Sequence, residues 1–341
     1  MSKKTTIYDI ARYLHVTPAT VSYALNNVSK VSEEMRKKVL ETAKKLGYSR
    51  DYNAVSLSTG KTHLMVLFLP FEDISKAFLL NPFYGEFIGC FEREIKKQDY
   101  DLLIEPLFNE KDLLPWLRSR GVDAIALLGT YPKYFRKAFK TFGKPVVLVD
   151  IFDENASEYN VVRTTDDVGT YKATKYLIEN GHRKIMFASG DYSKSSVDFN
   201  RLSGYRRALE ENGIPFDESL TIKCADISFD AGAEMAPAIL EKDATAIVCA
   251  ADSLAMGIIR AAKNMGKVIP EELSIIGFDD IASAKYTIPG LTTMKQDILE
   301  KARMSATMLL DDIKKKEIGN KIYELEPELV VRGTVKDLRN S

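Results

Sequence analysis

The stretch Thr6-Ile7-Tyr8-Asp9-Ile10-Ala11-Arg12-Tyr13-Leu14-His15-Val16-Thr17-Pro18-Ala19-Thr20-Val21-Ser22-Tyr23 contains two helix starts in close succession. Thr6 has the form of a cap, because a Thr hydroxyl can accept from a first-turn amide and Asp9 favours the positive helix end. Ile7, Ile10, Ala11 and Leu14 then share one face at helical spacing. Thr17-Pro18 is the second start, Thr as cap and Pro at the first helical position. Val21, Ala24 and Leu25 continue an apolar face behind it. Two short helices joined by a turn of about three or four residues have helix-turn-helix spacing. A third helix is capped by Ser32, carries Glu33 and Glu34 in its first turn and Lys44 and Lys45 in its last, packs through Met35, Val39, Ala43 and Leu46, and stops at Gly47.

Periodicity alone also fits a three-helix bundle with no ligand. The second helix argues for more: Thr20, Ser22, Tyr23 and Asn26 give it a short polar face that can enter a major groove. Charge points the same way. Net charge is zero over 341 residues, yet residues 1–62 hold 11 Lys/Arg against 5 Asp/Glu, and the remainder 37 against 43. A basic head on an acidic body is the footprint of a polyanionic partner.

The wording TIYDIA (6–11), Val16-Thr17, ATVS (19–22), Leu25-Asn26 and VLETAKKLGY (39–48) closely resembles the DNA-binding headpiece of the lactose-repressor (LacI/GalR) family. The resemblance implies that Pro18, Ala19 and Tyr23 read bases, with Thr6, Thr17, Thr20, Ser22 and Asn26 as phosphate contacts that set register. Tyr23 replaces a familiar arginine, and a Tyr hydroxyl cannot make the bidentate guanine contact open to Arg. By composition, the polar segment from Tyr48 to Thr62 is a linker. By resemblance it is a hinge helix that orders on DNA, with Ala54 and Leu57 at the positions of a minor-groove wedge. Arg50, Asp51 and Val55 depart from the usual hinge residues.

From Leu64 onward short apolar runs alternate with amphipathic ones. Expected strands are 65–69, 102–105, 124–128, 145–149, 184–188, 246–250 and 273–278; expected helices include 84–97, 169–180, 201–212 and 254–265. Apolar strands separated by helices imply parallel sheets covered on both faces, and two such sets imply two doubly wound lobes with a cleft between. The phrases NPFY (81–84), DDVG (166–169), NGHRKI (180–185), RLSGY (201–205), DSLAMG (252–257), GFDDI (277–281), LTT (291–293) and VRG (331–333) carry the same family resemblance across almost the whole chain. It implies an α + α/β architecture: a helix-turn-helix headpiece (1–47), a hinge (48–62) and a periplasmic-binding-protein-like core (63–341). The expected N-lobe takes about 63–161 plus 293–322, and the C-lobe about 162–292 plus 323–341.

Chemistry and family position together nominate Phe83, Asp150, Arg201, Asp279 and Gln296 as contacts to a small effector. Carboxylates accept from hydroxyls, a guanidinium donates in fork geometry, and an aromatic face stacks on a sugar ring. Each also has a structural reading. Asp150 and Asp279 could cap the turn after a strand, Arg201 could form a salt bridge, and Phe83 could be core. Asp252 reads first as a helix cap. Ala251 and Ile227 stand where the lactose repressor has an Asn and a stacking aromatic, so the particular sugar is undefined.

Other classes are disfavoured. No apolar run approaches the roughly 20 residues of a membrane span, and Met1 to Tyr8 is unlike a signal peptide. Cys90, Cys224 and Cys249 have neither disulfide nor zinc spacing. No nucleophile with an adjacent base, phosphate loop or metal spacing suggests an enzyme. The expectation is a cytoplasmic, effector-switched repressor that binds a two-fold operator as a homodimer, without cofactor or metal. A purine effector, a phosphoprotein co-repressor or a solute-binding carrier are the alternatives. After Arg332 no leucine heptad continues, so no coiled-coil tetramer is expected.

Overall fold

A computed structural model describes residues 5–25, 29–48, 60–71, 73–75, 78, 81–106, 109–153, 155–190 and 196–339. The chain divides into two compact units, Met1–Thr62 and His63–Ser341. Among the described residues, no helix is long and apolar enough to cross a membrane.

The first unit is three helices, α1 (Ile7–Leu14), α2 (Pro18–Leu25) and α3 (Glu33–Lys45). Ile10, Val21 and Val39, one from each, are fully buried, and Ala11, Ala24 and Ala43 close the gaps between them. Burying each of those branched side chains is worth about 1.5–3 kcal/mol, which a bundle this small needs. Ser32 accepts from the amide of Met35 at 3.3 Å. Thr17 Oγ1 accepts from the amide of Thr20 at 3.2 Å. Thr6 and Asp9 form a capping box, in which the Thr6 hydroxyl also donates to Asp9 Oδ2 at 2.8 Å and the Thr6 amide donates to the same oxygen at 2.9 Å. A carboxylate accepts more strongly than a hydroxyl, so Asp9 organises this helix start.

The second unit holds two six-stranded sheets. The first combines β1 (Leu64–Phe68), β2 (Asp101–Glu105), β3 (Ala124–Leu128), β4 (Val146–Val149), β5 (Asn160–Thr164) and, late in the chain, β11 (Ile322–Leu325), in the order β11-β5-β4-β3-β1-β2 with all pairs parallel. The second combines β6 (Ile185–Ser189), β7 (Thr221–Lys223), β8 (Ala246–Cys249), β9 (Ser274–Asp279), β10 (Thr292–Lys295) and β12 (Glu328–Val330), in the order β12-β10-β9-β8-β6-β7, antiparallel only at β10–β12. Helices α4 (Pro82–Lys96), α5 (Glu110–Arg120), α6 (Tyr134–Phe142) and α11 (Ile298–Lys315) belong to the first lobe. Helices α7 (Asp166–Glu179), α8 (Val197–Glu211), α9 (Phe229–Leu240) and α10 (Asp252–Asn264) belong to the second.

The central strands β1, β3, β4, β6, β8 and β9 are buried on both faces, which is why their sequences are almost continuously apolar. The chain passes between lobes after β5, β10 and β11. The expected crossings at 161/162, 292/293 and 322/323 each lie inside one of these strands and are corrected to their ends. Their polar residues, Arg163, Lys295 and Glu324, hid them: a strand that leaves a lobe is solvated at its end and loses the apolar signature.

Candidate ligand-binding cleft

In doubly wound sheets ligands bind outside the carboxyl ends of the strands, where the strand order reverses. In the first sheet this is between β1 and β3, and in the second between β6 and β8. The loops leaving these ends line a cavity of about 300 Å³ between the lobes. Phe83, Asp150, Arg201, Asp279 and Gln296 all line it. Two of them sit in conformations that side chains rarely adopt: Asp150 at φ 53° and Asp279 at φ 118°. Such backbone costs of order 1–3 kcal/mol and concentrates at functional sites.

A charged network ties these residues together. Lys301, fully buried on α11, donates to Asp150 Oδ1 at 2.7 Å and Oδ2 at 2.6 Å, and to Gln296 Oε1 at 2.6 Å. Gln296 also accepts from the Thr164 hydroxyl at 2.7 Å, and its Nε2 donates to Asp279 Oδ1 at 2.6 Å. Asn81 Nδ2 donates to the other Asp279 oxygen at 3.2 Å, across the lobe boundary. The amide of Ala282 donates to Glu86 Oε1 at 3.1 Å, a second interlobe bond.

The structure also realises parts of the structural readings. Arg201 spends its fork on Asp166, with Nε at 2.8 Å and Nη2 at 2.7 Å from Oδ1, while Nη1 donates to the Ala250 carbonyl. Its guanidinium lies over the Phe278 ring at 3.7 Å and within 3.8 Å of Asp279. The salt-bridge reading of Arg201 is thus realised, and the expected helix start at 201 is corrected: α8 starts four residues earlier, capped by Ser196. Asp150 accepts the Thr164 amide at 3.1 Å. Phe83 is mostly buried, stacks on Phe87 and lies under the Lys301 ammonium at 5.2 Å, so it is both core and cleft wall. Asp252 does not cap α10, because Ala251 holds that position. It is wholly buried and instead ties Ile281 and Thr293 into the second lobe.

Sequence reasoning missed Lys301, Asp166, Asp198 and Tyr84. Asp166 and Tyr84 stood inside recognised phrases, but nothing in the pattern of α11 distinguishes a buried lysine from its solvated neighbours. Burial of Cys224 pushes its thiol up to about 11, so it is no nucleophile near neutrality.

Burial pushes the carboxyls of both Asp166 and Asp279 up to about 6, against the pull of Arg201. Below the ordinary carboxylate value of 3.8 both folded and unfolded chains hold these protons. Above it the unfolded chain releases them first, so their contribution to stability is lost as pH rises through about 6. Asp279→Asn cannot ionise. Its stability relative to wild type should therefore climb by on the order of 1–3 kcal/mol between pH 4 and 7 in urea titrations. A pH-independent difference would refute the assignment.

In the first unit Thr6, the cap of α1, is exposed; along α2 and its start Thr17, Ala19 and Tyr23 are exposed, and Pro18, Thr20 and Ser22 half-buried. The Lys30 ammonium lies 5.4 Å over the Tyr23 ring. Asn26, Ala54 and Leu57 lie outside the described residues.

A basic helix-turn-helix unit joined to a two-lobed, cleft-bearing body defines a ligand-responsive, DNA-binding regulator of transcription. Residues 6–51 match "Bacterial regulatory proteins, lacI family", and residues 174–335 match "Periplasmic binding protein-like domain". The chain belongs to the lacI family of bacterial regulatory proteins. It is 34% identical to the HTH-type transcriptional regulator DegA of Bacillus subtilis (strain 168) over 98% of this chain and 99% of that one. It is 31% identical to the HTH-type transcriptional repressor PurR of Vibrio atlanticus (strain LGP32), with the same coverage. Among solved structures, a transcriptional regulator CelR–cellobiose complex is similar at TM-score 0.73 and 25% identity, over 97% of this chain and all of that one.

Proposed function

We propose that this chain is a cytoplasmic transcriptional repressor that binds a two-fold operator as a homodimer and is switched by a carbohydrate in the interlobe cleft. The observation that carries the effector class is the cleft itself. Carboxylates, an amide, a guanidinium and an aromatic face converge there from both lobes, the donor and acceptor set that holds a hydroxyl-rich ring. The cellobiose in the CelR complex supports that class. The carboxylates are held by lysine, arginine and amide partners that orient them, and this suits binding without turnover.

On the DNA side Pro18, Ala19 and Tyr23 face the bases, while Thr6, Thr17, Thr20 and Ser22 meet phosphates. Asn26 as a further phosphate contact, with Ala54 and Leu57 as the minor-groove wedge, completes the contacts. A dimer follows from symmetry, since two half-sites are met by two headpieces. A ligand that touches both lobes favours one of their arrangements, and so shifts operator affinity by its differential binding. The coupling is reciprocal and typically about 5–150-fold.

The test is operator binding by fluorescence anisotropy, on sites selected from random duplex DNA, with and without sugars. Arg201→Ala/Asp166→Asn removes both members of the buried pair, so the Asp166 carboxylate is not left without its partner. The double variant should hold operator within about twofold of wild type and lose the roughly 5–150-fold sugar response. A full response in the variant removes Arg201 from the switch.

A further inference from the structure

The cleft extends past the residues that gather around Asp279. Beyond Asn81 and Tyr84 lies a second chamber of about 420 Å³, walled by Gly190, Lys223, Cys224, Ala225 and Asp226. The two chambers share Phe71, Asn81, Tyr84, Asp198 and Ile227 as lining residues, so they adjoin across these side chains. The Phe71 and Tyr84 rings in that shared wall meet edge to face, 5.1 Å apart.

Size and chemistry both separate the chambers. Small-molecule sites run to roughly 300–1,000 Å³, so the inner chamber of about 300 Å³ is filled by one small ring and the pair has room for two. The outer chamber offers Asp226 as acceptor and Lys223 as donor beside the Phe71 and Tyr84 faces, a mixed wall suited to a hydroxylated ring. One oxygen of Asp226 already accepts the Ser228 amide at 2.8 Å, which fixes its carboxylate. Gly190 stands at the end of β6 beside Asp226, where a Cβ makes ordinary contacts. A Cβ there would stand 3.4 Å from Asp198 Oδ2 and 3.6 Å from the Asp226 backbone.

Charge selects against anions. Asp150, Asp198 and Asp279 line the inner chamber and Asp198 and Asp226 the outer, against Arg201 and Lys223; Arg201 is paired with Asp166 and Asp150 with Lys301, which leaves the carboxylates in excess. A phosphate on either ring would meet carboxylates first.

We propose that the effector is an uncharged two-ring glycoside, with one ring beside Asp150, Arg201 and Asp279 and the second in the outer chamber between Tyr84 and Asp226. This rests on the carbohydrate reading above. It assigns the outer chamber the role of measuring ligand length.

Isothermal titration of the full chain tests it with cellobiose, maltose, lactose and trehalose, their monosaccharides, and glucose 6-phosphate. One disaccharide should bind at least about tenfold more tightly than its monosaccharides and than glucose 6-phosphate. Ala225 is exposed on the outer wall. Ala225→Trp should weaken that disaccharide by about tenfold or more and leave monosaccharide binding within about twofold. Gly190→Val, which encroaches from the neighbouring strand end, should do the same. Equal affinities for one ring and two, tighter binding of glucose 6-phosphate, or variants that weaken both ligands alike would overturn the two-ring effector while leaving the carbohydrate reading standing. No binding by any sugar would overturn both.

Discussion

Replacing Lys301 by methionine should destabilise the second unit by about 3–5 kcal/mol, because it strands a buried carboxylate. Lys301 has no exposure to solvent, and Asp150 is only 8% exposed. The ammonium supplies three short bonds, two to that carboxylate and one to Gln296. Taking both charges out of water costs several kcal/mol each, and their attraction offsets that cost only while both are present. The double change Lys301→Met/Asp150→Asn should accordingly recover most of the loss, since Asn tolerates the φ of 53° and keeps an acceptor for the Thr164 amide without a buried charge. Urea denaturation of the single and double variants decides the matter: if the double is no more stable than Lys301→Met, the pair is not the source of the effect. Effector binding should remain impaired in both, because Asp150 belongs to the cleft as well as to the pair.

A second large effect is expected at Gly257. Helices α9 and α10 cross closely enough that a Cβ on Gly257 would collide with the Phe229 carbonyl oxygen, and one on Gly232 with that of Leu254. The two backbones thus touch through reciprocal glycines. Replacing a helical glycine ordinarily gains about 0.5–1 kcal/mol in backbone entropy. Here the collision is with main chain, which cannot rotate away, and overpacking costs about 1–3 kcal/mol even where side chains can yield. Gly257→Val should lose at least about 3 kcal/mol in thermal or urea unfolding, with Gly257→Ala between it and wild type. Gly89 in α4, where a Cβ would meet nothing within 4 Å, supplies the contrast. Gly89→Ala should be neutral or stabilising by up to about 1 kcal/mol. Similar losses at both positions would mean that the close crossing is not the cause.

These two sites also mark where the sequence stops being readable. The headpiece was legible in full outline, because capping residues and a 3.6-residue period are local signals and the three helices follow them. The double-sided strands were legible for a related reason: Ala124–Leu128 is apolar at every position because both faces are covered. The short strands β5, β7, β10, β11 and β12 were not, since their burial is set by partners far away in the chain. The same holds for the site. Phe83, Asp150, Arg201, Asp279 and Gln296 were nominated by type and family position, and all five line one cavity. What they bond to was hidden. Lys301 meets Asp150 across 151 residues, and Arg201 turns to Asp166 across 35, relations that no local pattern carries. Gly204, inside the recognised RLSGY, shows the same limit. Its role is to let α8 lie against the Asp167 carbonyl of α7, and only the packed structure reveals it.

Asn81 does two jobs with one planar group. Its Oδ1 accepts the Phe83 amide at 3.0 Å, capping α4, while its Nδ2 holds Asp279 on the opposite lobe at 3.2 Å. The ends of an amide cannot turn independently, so parting the lobes either deprives Asp279 of a donor or swings the oxygen off the helix start. Motion between the lobes is thereby converted into order at the first turn of α4. The residue that closes the cleft is also the clasp that keeps that helix from unravelling.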